Sequence, residues 1–261
     1  MILEWLQSLT TPCPSIWRKM GYLHQTIGIN ARIARNRTAW QPHLEQSRDF
    51  VLNAAANCPQ RRKAVLMGAA VLHDLPVERL ANMFDEVVLV DLFHLWPARW
   101  LTFAKANITL QVCDLTASLD LLGQGTRKTG TPSAFLDDAD VDFVVSANIA
   151  SQLPLIPMDW LARQFSVDEQ TRHDLGQELV ASHFRYLQKF TGTTCLISDS
   201  ERLVLDETGA EISRTTALFD IVPPPATTSW TWDIAPLGET EPNRAISHIV
   251  IGAILGQNST G

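Results

Sequence analysis

The stretch that decides the fold reads KAVLMGAAVLHDLPVERLANMFDEVVLVD and spans Lys63–Asp91. Its first apolar run ends at Gly68, a turn of small residues follows, and Pro76 opens a segment with helical character. Its second apolar run ends at the acid Asp91. This order predicts strand, tight turn, helix and strand, which together form a βαβ unit. We expect its ligand where the strands end.

The same alternation continues on both sides of this unit. A helix is predicted over residues 41–57, directly before the first strand. Three more short apolar runs, each separated by a helix-length segment, predict further strands at Ile108–Cys113, Val141–Ser146 and Thr193–Ser198. Short strands that are nearly all apolar indicate a parallel sheet with helices on both faces. The fold class is therefore α/β and Rossmann-like.

The last part of the chain changes character. Leu218–Val222 and Thr228–Ile234 are predicted as strands, and the link of three prolines between them is too short for a helical crossover. We therefore expect an antiparallel pair at the end, with Ile246–Leu255 as a further candidate strand. Residues 1–40 are predicted to form an N-terminal helical cap, and residues 41–261 a single Rossmann-like domain.

Composition restricts the partners. The 261 residues include 46% hydrophobic and 19% charged residues, and the net charge of -7 argues against a nucleic-acid partner. The four cysteines are far apart in sequence, which favours reduced thiols and a cytoplasmic location. No run approaches the roughly 18 apolar residues of a membrane helix, and we expect neither a signal peptide nor membrane association. The sequence leaves the oligomeric state open.

This architecture, over about residues 41–236, resembles the class I, Rossmann-like S-adenosylmethionine-dependent methyltransferases. Members of that family carry an acid and a Gly-x-Gly-x-Gly run after the first strand. Here Gly68 matches the first glycine, Leu66 stands in place of the acid, and Ala70 and Leu72 replace the other two glycines. Leu72 predicts either a narrower pocket or a different path for the turn.

The resemblance also implies the roles of residues after later strands. Asp91 would bind the ribose hydroxyls of S-adenosylmethionine, and Asp114 would meet the adenine amine. The segment after the fourth strand would bring Asn148 and Ser146, the implied catalytic residues, to the point where the methyl group meets its acceptor. The implied cofactor-binding residues are Gly68, Ala69, Ala70, His73, Asp91, Leu92, Asp114, Leu115 and Asn148.

Several other groups have ordinary structural interpretations. Asp74 is interpreted as a helix cap or, alternatively, as a residue that with His73 replaces lost contacts to the methionine end of the cofactor. Trp230 and Trp232 are interpreted as core residues on one face of a strand. Four aspartates between residues 137 and 142 do not have the spacing of a calcium loop and indicate caps and a solvated strand entry. Arginines 32, 35 and 37 form a solvated face or, alternatively, belong to a lid that meets an anionic substrate or the cofactor carboxylate.

Three functions remain open at this stage. The resemblance implies a methyltransferase that acts on a small molecule or a protein. Leu66 and Leu72 support an alternative in which a methyltransferase fold serves as a non-catalytic scaffold or partner-binding protein. A nicotinamide-dependent oxidoreductase also uses an acid after its second strand, but the turn after the first strand lacks GxGxxG.

Overall fold

A mostly parallel sheet forms the centre of the computed structural model, which describes residues 2–256. The strands are β1 (Lys63–Met67), β2 (Glu86–Asp91), β3 (Ile108–Val112), β4 (Val141–Ala147), β5 (Thr193–Leu205), β6 (Glu211–Thr216), β7 (Thr228–Ala235) and β8 (Ala245–Leu255). They lie in the order β3-β2-β1-β4-β5-β8-β7, and β6 pairs with β5 outside this path. The first five strands are parallel to one another, and the last three pair antiparallel, so the predicted fold class is confirmed.

Nine helices surround the sheet in the described part of the chain. They are α1 (Ile2–Thr10), α2 (Ser15–Met20), α3 (Tyr22–Arg35), α4 (Arg37–Ala56), α5 (Val77–Ala81), α6 (Trp96–Ala104), α7 (Leu119–Gly123), α8 (Leu155–Phe165) and α9 (Glu169–Leu187). None of these described helices is long and apolar enough to cross a membrane. Helix α4 corresponds to the helix predicted over residues 41–57, but it begins earlier, at Arg37.

Strand alternation divides the core between the two faces of the sheet. Leu66 and Val145 belong to one apolar cluster, which includes Val51 of α4. Val65 and Val144 belong to a second cluster, with Val180 of α9. Successive strand residues point to opposite faces, so both faces of β1 and β4 are covered by helices and buried.

The predicted strand Leu218–Val222 is absent, and that prediction is wrong. Phe219 and Asp220 both have positive φ angles, 53° and 63°, which an extended strand does not allow. Leu218, Phe219 and Ile221 pack into the cluster beneath α9, and the segment does not pair with a strand. The antiparallel pairs are β7 with β8, and β5 with both β6 and β8, because β5 continues beyond Ser198 to Leu205.

Ion pairs hold the amino-terminal edge of β1 and β4. The Asp142 carboxylate accepts hydrogen bonds from the backbone and the guanidinium of Arg62, which lowers its pKa. Lys63 Nζ lies 2.6 Å from Asp138 Oδ2. The aspartates before β4 therefore serve the strand entry, as their spacing indicates.

Gly68 ends β1 in a conformation that other residues adopt only at a cost. Its φ is +89°, and an added Cβ would lie 2.6 Å from Ile149 Cγ2 and 2.7 Å from the Ala147 carbonyl oxygen. A side chain here would force apart the loops that follow β1 and β4.

We expect Gly68→Ala to reduce the free energy of unfolding by roughly 2–5 kcal/mol, because backbone strain and overpacking add. Gly209→Ala is the matched control, since Gly209 has φ +84° but no atom within 4 Å of an added Cβ. That variant should lose only about 1–2 kcal/mol. Urea unfolding measures both, and equal losses would show that the contact with the β4 loop contributes nothing.

Candidate functional site

One cleft lies over the carboxyl ends of the parallel strands, with a cavity volume of about 200 Å³. It sits where the chain leaves β1 for β2 on one side and returns as β4 on the other, the switch point at which such sheets bind ligands. Eight of the nine residues implied for the cofactor line it: Gly68, Ala70, His73, Asp91, Leu92, Asp114, Leu115 and Asn148. The structure therefore brings these residues together.

The turn after β1 is long. Helix α5 begins only at Val77, so nine residues separate it from β1. Leu72 packs against the core on the α4 face and is not among the residues that line the cleft. The Leu72 side chain therefore does not narrow the cleft, and the altered path of the turn stays a prediction. Ala69 is fully buried and also lies away from the cleft.

Asp91 is held at the cleft by two backbone amides. Its Oδ2 accepts a hydrogen bond from Ala70 N at 2.9 Å, and its Oδ1 accepts one from Leu92 N at 2.7 Å. Burial raises the pKa of this carboxyl to about 6, against the opposing effect of the two amides. A carboxylate has about four acceptor positions, so each Asp91 oxygen keeps one position for a ligand.

Asp114 is used differently, although it follows the neighbouring strand. Its Oδ1 accepts from the Thr116 amide and hydroxyl, and its Oδ2 accepts from the amides of Ser118 and Leu119. These four hydrogen bonds, all between 2.7 and 2.8 Å, fill its acceptor positions. Asp114 therefore shapes the loop before α7, and its contact with an adenine amine stays a prediction.

Tyr22 of α3 reaches the same region from above the sheet. Burial raises the pKa of its phenol well above the ordinary value, and the negative charges of Asp114 and Asp91 raise it further. Gln25, Thr26 and Ile29 of the same helix also line the cleft. Helix α3 thus covers the strand ends, while the division into a cap of residues 1–40 and a separate domain stays a prediction.

Asn148 forms the polar centre on the β4 side. It has a positive φ of 52°, and its Nδ2 donates to Asp74 Oδ2 at 2.8 Å. Its Oδ1 is buried without a hydrogen-bond partner among the described residues. Burial raises the pKa of Asp74 to about 6, while the bond from Asn148 opposes this shift. The interpretation of Asp74 as a helix cap is wrong, since α5 begins after Pro76 without a side-chain cap.

Ser146 lies apart from this group. It is fully buried on the α9 face of the sheet, where its hydroxyl is 2.8 Å from His183 Nε2. Ser146 is not among the residues that line the cleft, so the structure does not place it beside Asn148 at an acceptor site. Burial lowers the pKa of His183 to about 4, which keeps this pair neutral inside the core.

His43 of α4 completes the polar group, and the sequence did not single it out. Trp230 Nε1, which can only donate, lies 3.0 Å from His43 Nδ1. The neutral ring therefore carries its hydrogen on Nε2. Asn148 Nδ2, which is also a donor, lies 3.4 Å from His43 Nε2, so with this tautomer the contact is not a hydrogen bond. Trp232 stacks on the ring with centroids 4.0 Å apart, and burial lowers the pKa of His43 to about 4. His43 is thus a hydrogen-bond donor to the cleft.

No protein-family model matches the sequence, and neither does any curated protein sequence. Solved structures of similar fold include the complex of DhpI with SAH, at 12% identity, 86% coverage of this chain, 94% of that one, and a TM-score of 0.34. A second is the 1,6-didemethyltoxoflavin-N1-methyltransferase of Burkholderia thailandensis, with S-adenosylhomocysteine bound, at 10% identity, 87% and 89% coverage, and a TM-score of 0.33.

A third is a SAM-dependent methyltransferase of Leishmania major, at 11% identity, 82% and 73% coverage, and a TM-score of 0.31. The matches thus include members of the superfamily that the sequence resembles. At such low identities and TM-scores these likenesses carry no functional argument.

We expect His43 to stay neutral, with its hydrogen on Nε2, from pH 8 down to about pH 5, because its pKa is about 4. Nitrogen chemical shifts of the histidine ring measure both properties. Trp230→Phe removes the donor and should release the tautomer, whereas Trp40→Phe should not, since Trp40 Nε1 donates to the Ile234 carbonyl. A His43 ring that titrates between pH 6 and 7 would contradict the assignment.

Proposed function

We propose that this protein binds S-adenosylmethionine in the cleft and transfers its methyl group to a small molecule or a protein. The observation that carries the proposal is Asp91, a buried acid directly after β2 that keeps one free acceptor position on each oxygen. Two vicinal hydroxyls of a ribose need two such positions on one carboxylate. The cleft then continues to Asn148 and Asp74.

The residues of the cleft fit the ribose of this cofactor as the resemblance implies, but they fit its adenine amine less well. Asp91 is available for the ribose, and Gly68 lines the cleft beside it. Asp114 has no acceptor position left for the adenine amine. We propose instead that Asp114 fixes the loop through Leu115 and Thr116, which themselves line the cleft.

When bound, S-adenosylmethionine supplies a methyl group that a sulfonium has already activated. The protein then has to orient the acceptor, exclude water and take a proton from an acceptor hydroxyl or amine. Asp74 is the proposed proton acceptor at its carboxylate, and Asn148 Nδ2 holds that carboxylate in place. His43 Nε2 can donate a hydrogen bond to the molecule that receives the methyl group, and Asn148 Oδ1 can accept a hydrogen bond from it.

A non-catalytic member of the same fold is the second candidate, and two observations favour it. The carboxylate of Asp114 is occupied by its own loop, and Tyr22 already lies close to both acids of the cleft. A protein of this kind would keep the fold without binding the cofactor. Cofactor titration therefore separates the two candidates.

We expect Asp91→Ala to weaken binding of S-adenosylmethionine and S-adenosylhomocysteine about 10- to 100-fold, because hydrogen bonds to a charged group are lost. Binding to the unaltered protein should weaken as the pH falls through about 6, where Asp91 takes up a proton and loses its charge. Isothermal titration calorimetry measures both effects.

The matched control is Asp174→Ala on the exposed side of α9, which should leave the affinity unchanged. An unchanged affinity in Asp91→Ala would place the ribose elsewhere. No heat from the unaltered protein at millimolar ligand would exclude the methyltransferase proposal and leave the non-catalytic fold.

For Asp74→Asn we expect the methylation rate to fall about 10²–10⁴-fold, the range typical of a lost general base, with cofactor affinity preserved. The rate of the unaltered protein should rise with pH through about 6, where the Asp74 carboxyl ionises. Formation of S-adenosylhomocysteine, with an acceptor obtained from a screen of hydroxyl and amine compounds, measures the rate. Asp49→Asn, exposed on α4, is the control, and equal rates in the two variants would refute the role of Asp74.

A further inference from the structure

A second groove runs between α3 and α4 and adjoins the cleft. Its volume is about 750 Å³. Three residues line both spaces, namely Ile33, Leu44 and His73. The groove and the cleft therefore lie next to each other, with these three side chains between them.

One face of α4 provides most of the polar lining. Arg37, Gln41, Leu44, Glu45 and Arg48 follow one another at helical spacing and all line the groove. Their spacing places the Cα atoms of Arg37 and Arg48 about 16 Å apart along the helix. Arg37 and Arg48 are thus the first and last residues of this run, and the charges of both act on His73.

The arginines of this groove differ from their neighbours on α3. Arg32 and Arg35 both pair with Glu239. Among the described side chains, no carboxylate forms an ion pair with Arg37 or Arg48. Of the three arginines expected to meet an anion, residues 32, 35 and 37, only Arg37 is without an ion pair among the described side chains. Arg48, which the sequence did not single out, joins it in the groove.

Glu45 lies in the same groove but forms an ion pair with neither arginine. Its carboxylate accepts a hydrogen bond from the Gln41 side chain at 2.7 Å. Arg48 Nη1 donates to the His73 carbonyl oxygen at 2.8 Å, which holds the guanidinium beside the entrance to the cleft. A guanidinium has five N–H donors, so most of those on Arg48 are left for a ligand.

Two arginine charges act on His73 at this entrance. Burial lowers the pKa of His73, and the charges of Arg48 and Arg37 lower it further. In a protein with a net charge of -7, such a positive groove is a local exception.

We propose that the groove binds the anionic group of the methyl acceptor, a carboxylate or similar oxyanion, through Arg48 and Arg37. The apolar side chains of Ile33 and Leu44 then contact the body of the acceptor on its way to Asp74 and Asn148. This inference rests on the proposed methyl transfer and adds the substrate class, an anionic small molecule.

The test uses benzoate and its neutral counterpart benzamide as probes on the full chain, with and without S-adenosylhomocysteine. We expect benzoate to bind and benzamide to bind at least tenfold more weakly. Arg48→Gln and Arg37→Gln should each weaken benzoate about tenfold, while Arg99→Gln, exposed on α6, should not. Arg37→Gln is expected to fold normally, since Arg37 is exposed and its side chain makes no hydrogen bond to the described residues. A loss of benzoate binding in this variant would therefore not result from misfolding.

Equal binding of benzoate and benzamide, or benzoate binding that neither arginine variant changes, would overturn the inference. The inference would also fail if the arginine variants weakened the binding of S-adenosylmethionine but not that of 5′-methylthioadenosine, which has no carboxylate. The groove would then hold the cofactor's own carboxylate. The titration without cofactor keeps the two proposals separate. Benzoate binding that depends on the arginines, in a protein that binds no cofactor, would support the groove and refute methyl transfer.

Discussion

The close approach of the Gly68 backbone to the loop after β4 is the constraint on which the cleft depends. Without a Cβ at this position, the Ala147 carbonyl and the Ile149 side chain can lie against the end of β1. The same turn directs the Ala70 amide to Asp91, while the loop after β4 presents Asn148 to Asp74. Two acids from different loops thus face one cleft because one residue has no side chain.

Both acids lie in a place where water is scarce, which gives them similar pKa values of about 6. Burial disfavours their charged forms, and the hydrogen-bond donors around them restore only part of the lost solvation. Asp91 keeps free acceptor positions, whereas Asp114 gives all of its positions to its own loop. Two acids that follow neighbouring strands are therefore not equivalent.

Much of the fold could be predicted from the sequence, because each buried parallel strand is a short apolar run that ends at a turn or an acid. β2 ends at the predicted residue, Asp91. Leu218–Val222 has the same apolar character, but left-handed backbone at Phe219 and packing beneath α9 override it. Composition alone does not separate a strand from an apolar loop that covers the core.

The site could be predicted only where it lies close in sequence to a strand end. Asp91 and Asn148 follow strands, and local pattern indicates them. Ser146 was predicted as their neighbour, yet strand alternation places it on the face of Val144, towards α9. Asp74 and His43 have no local signal, since their roles arise from contacts with residues 74 and 105 positions away.

The hydrogen bond from Trp230 to His43 spans 187 positions and has a consequence for how the protein folds. The wall of the cleft at His43 and Trp232 cannot form until β7 has paired with β8, near the end of the described chain. Contacts so distant in sequence require the closure of a long loop, which slows folding. During synthesis the parallel strands can therefore assemble first, and the chain acquires a complete cleft only when its last strands join the sheet.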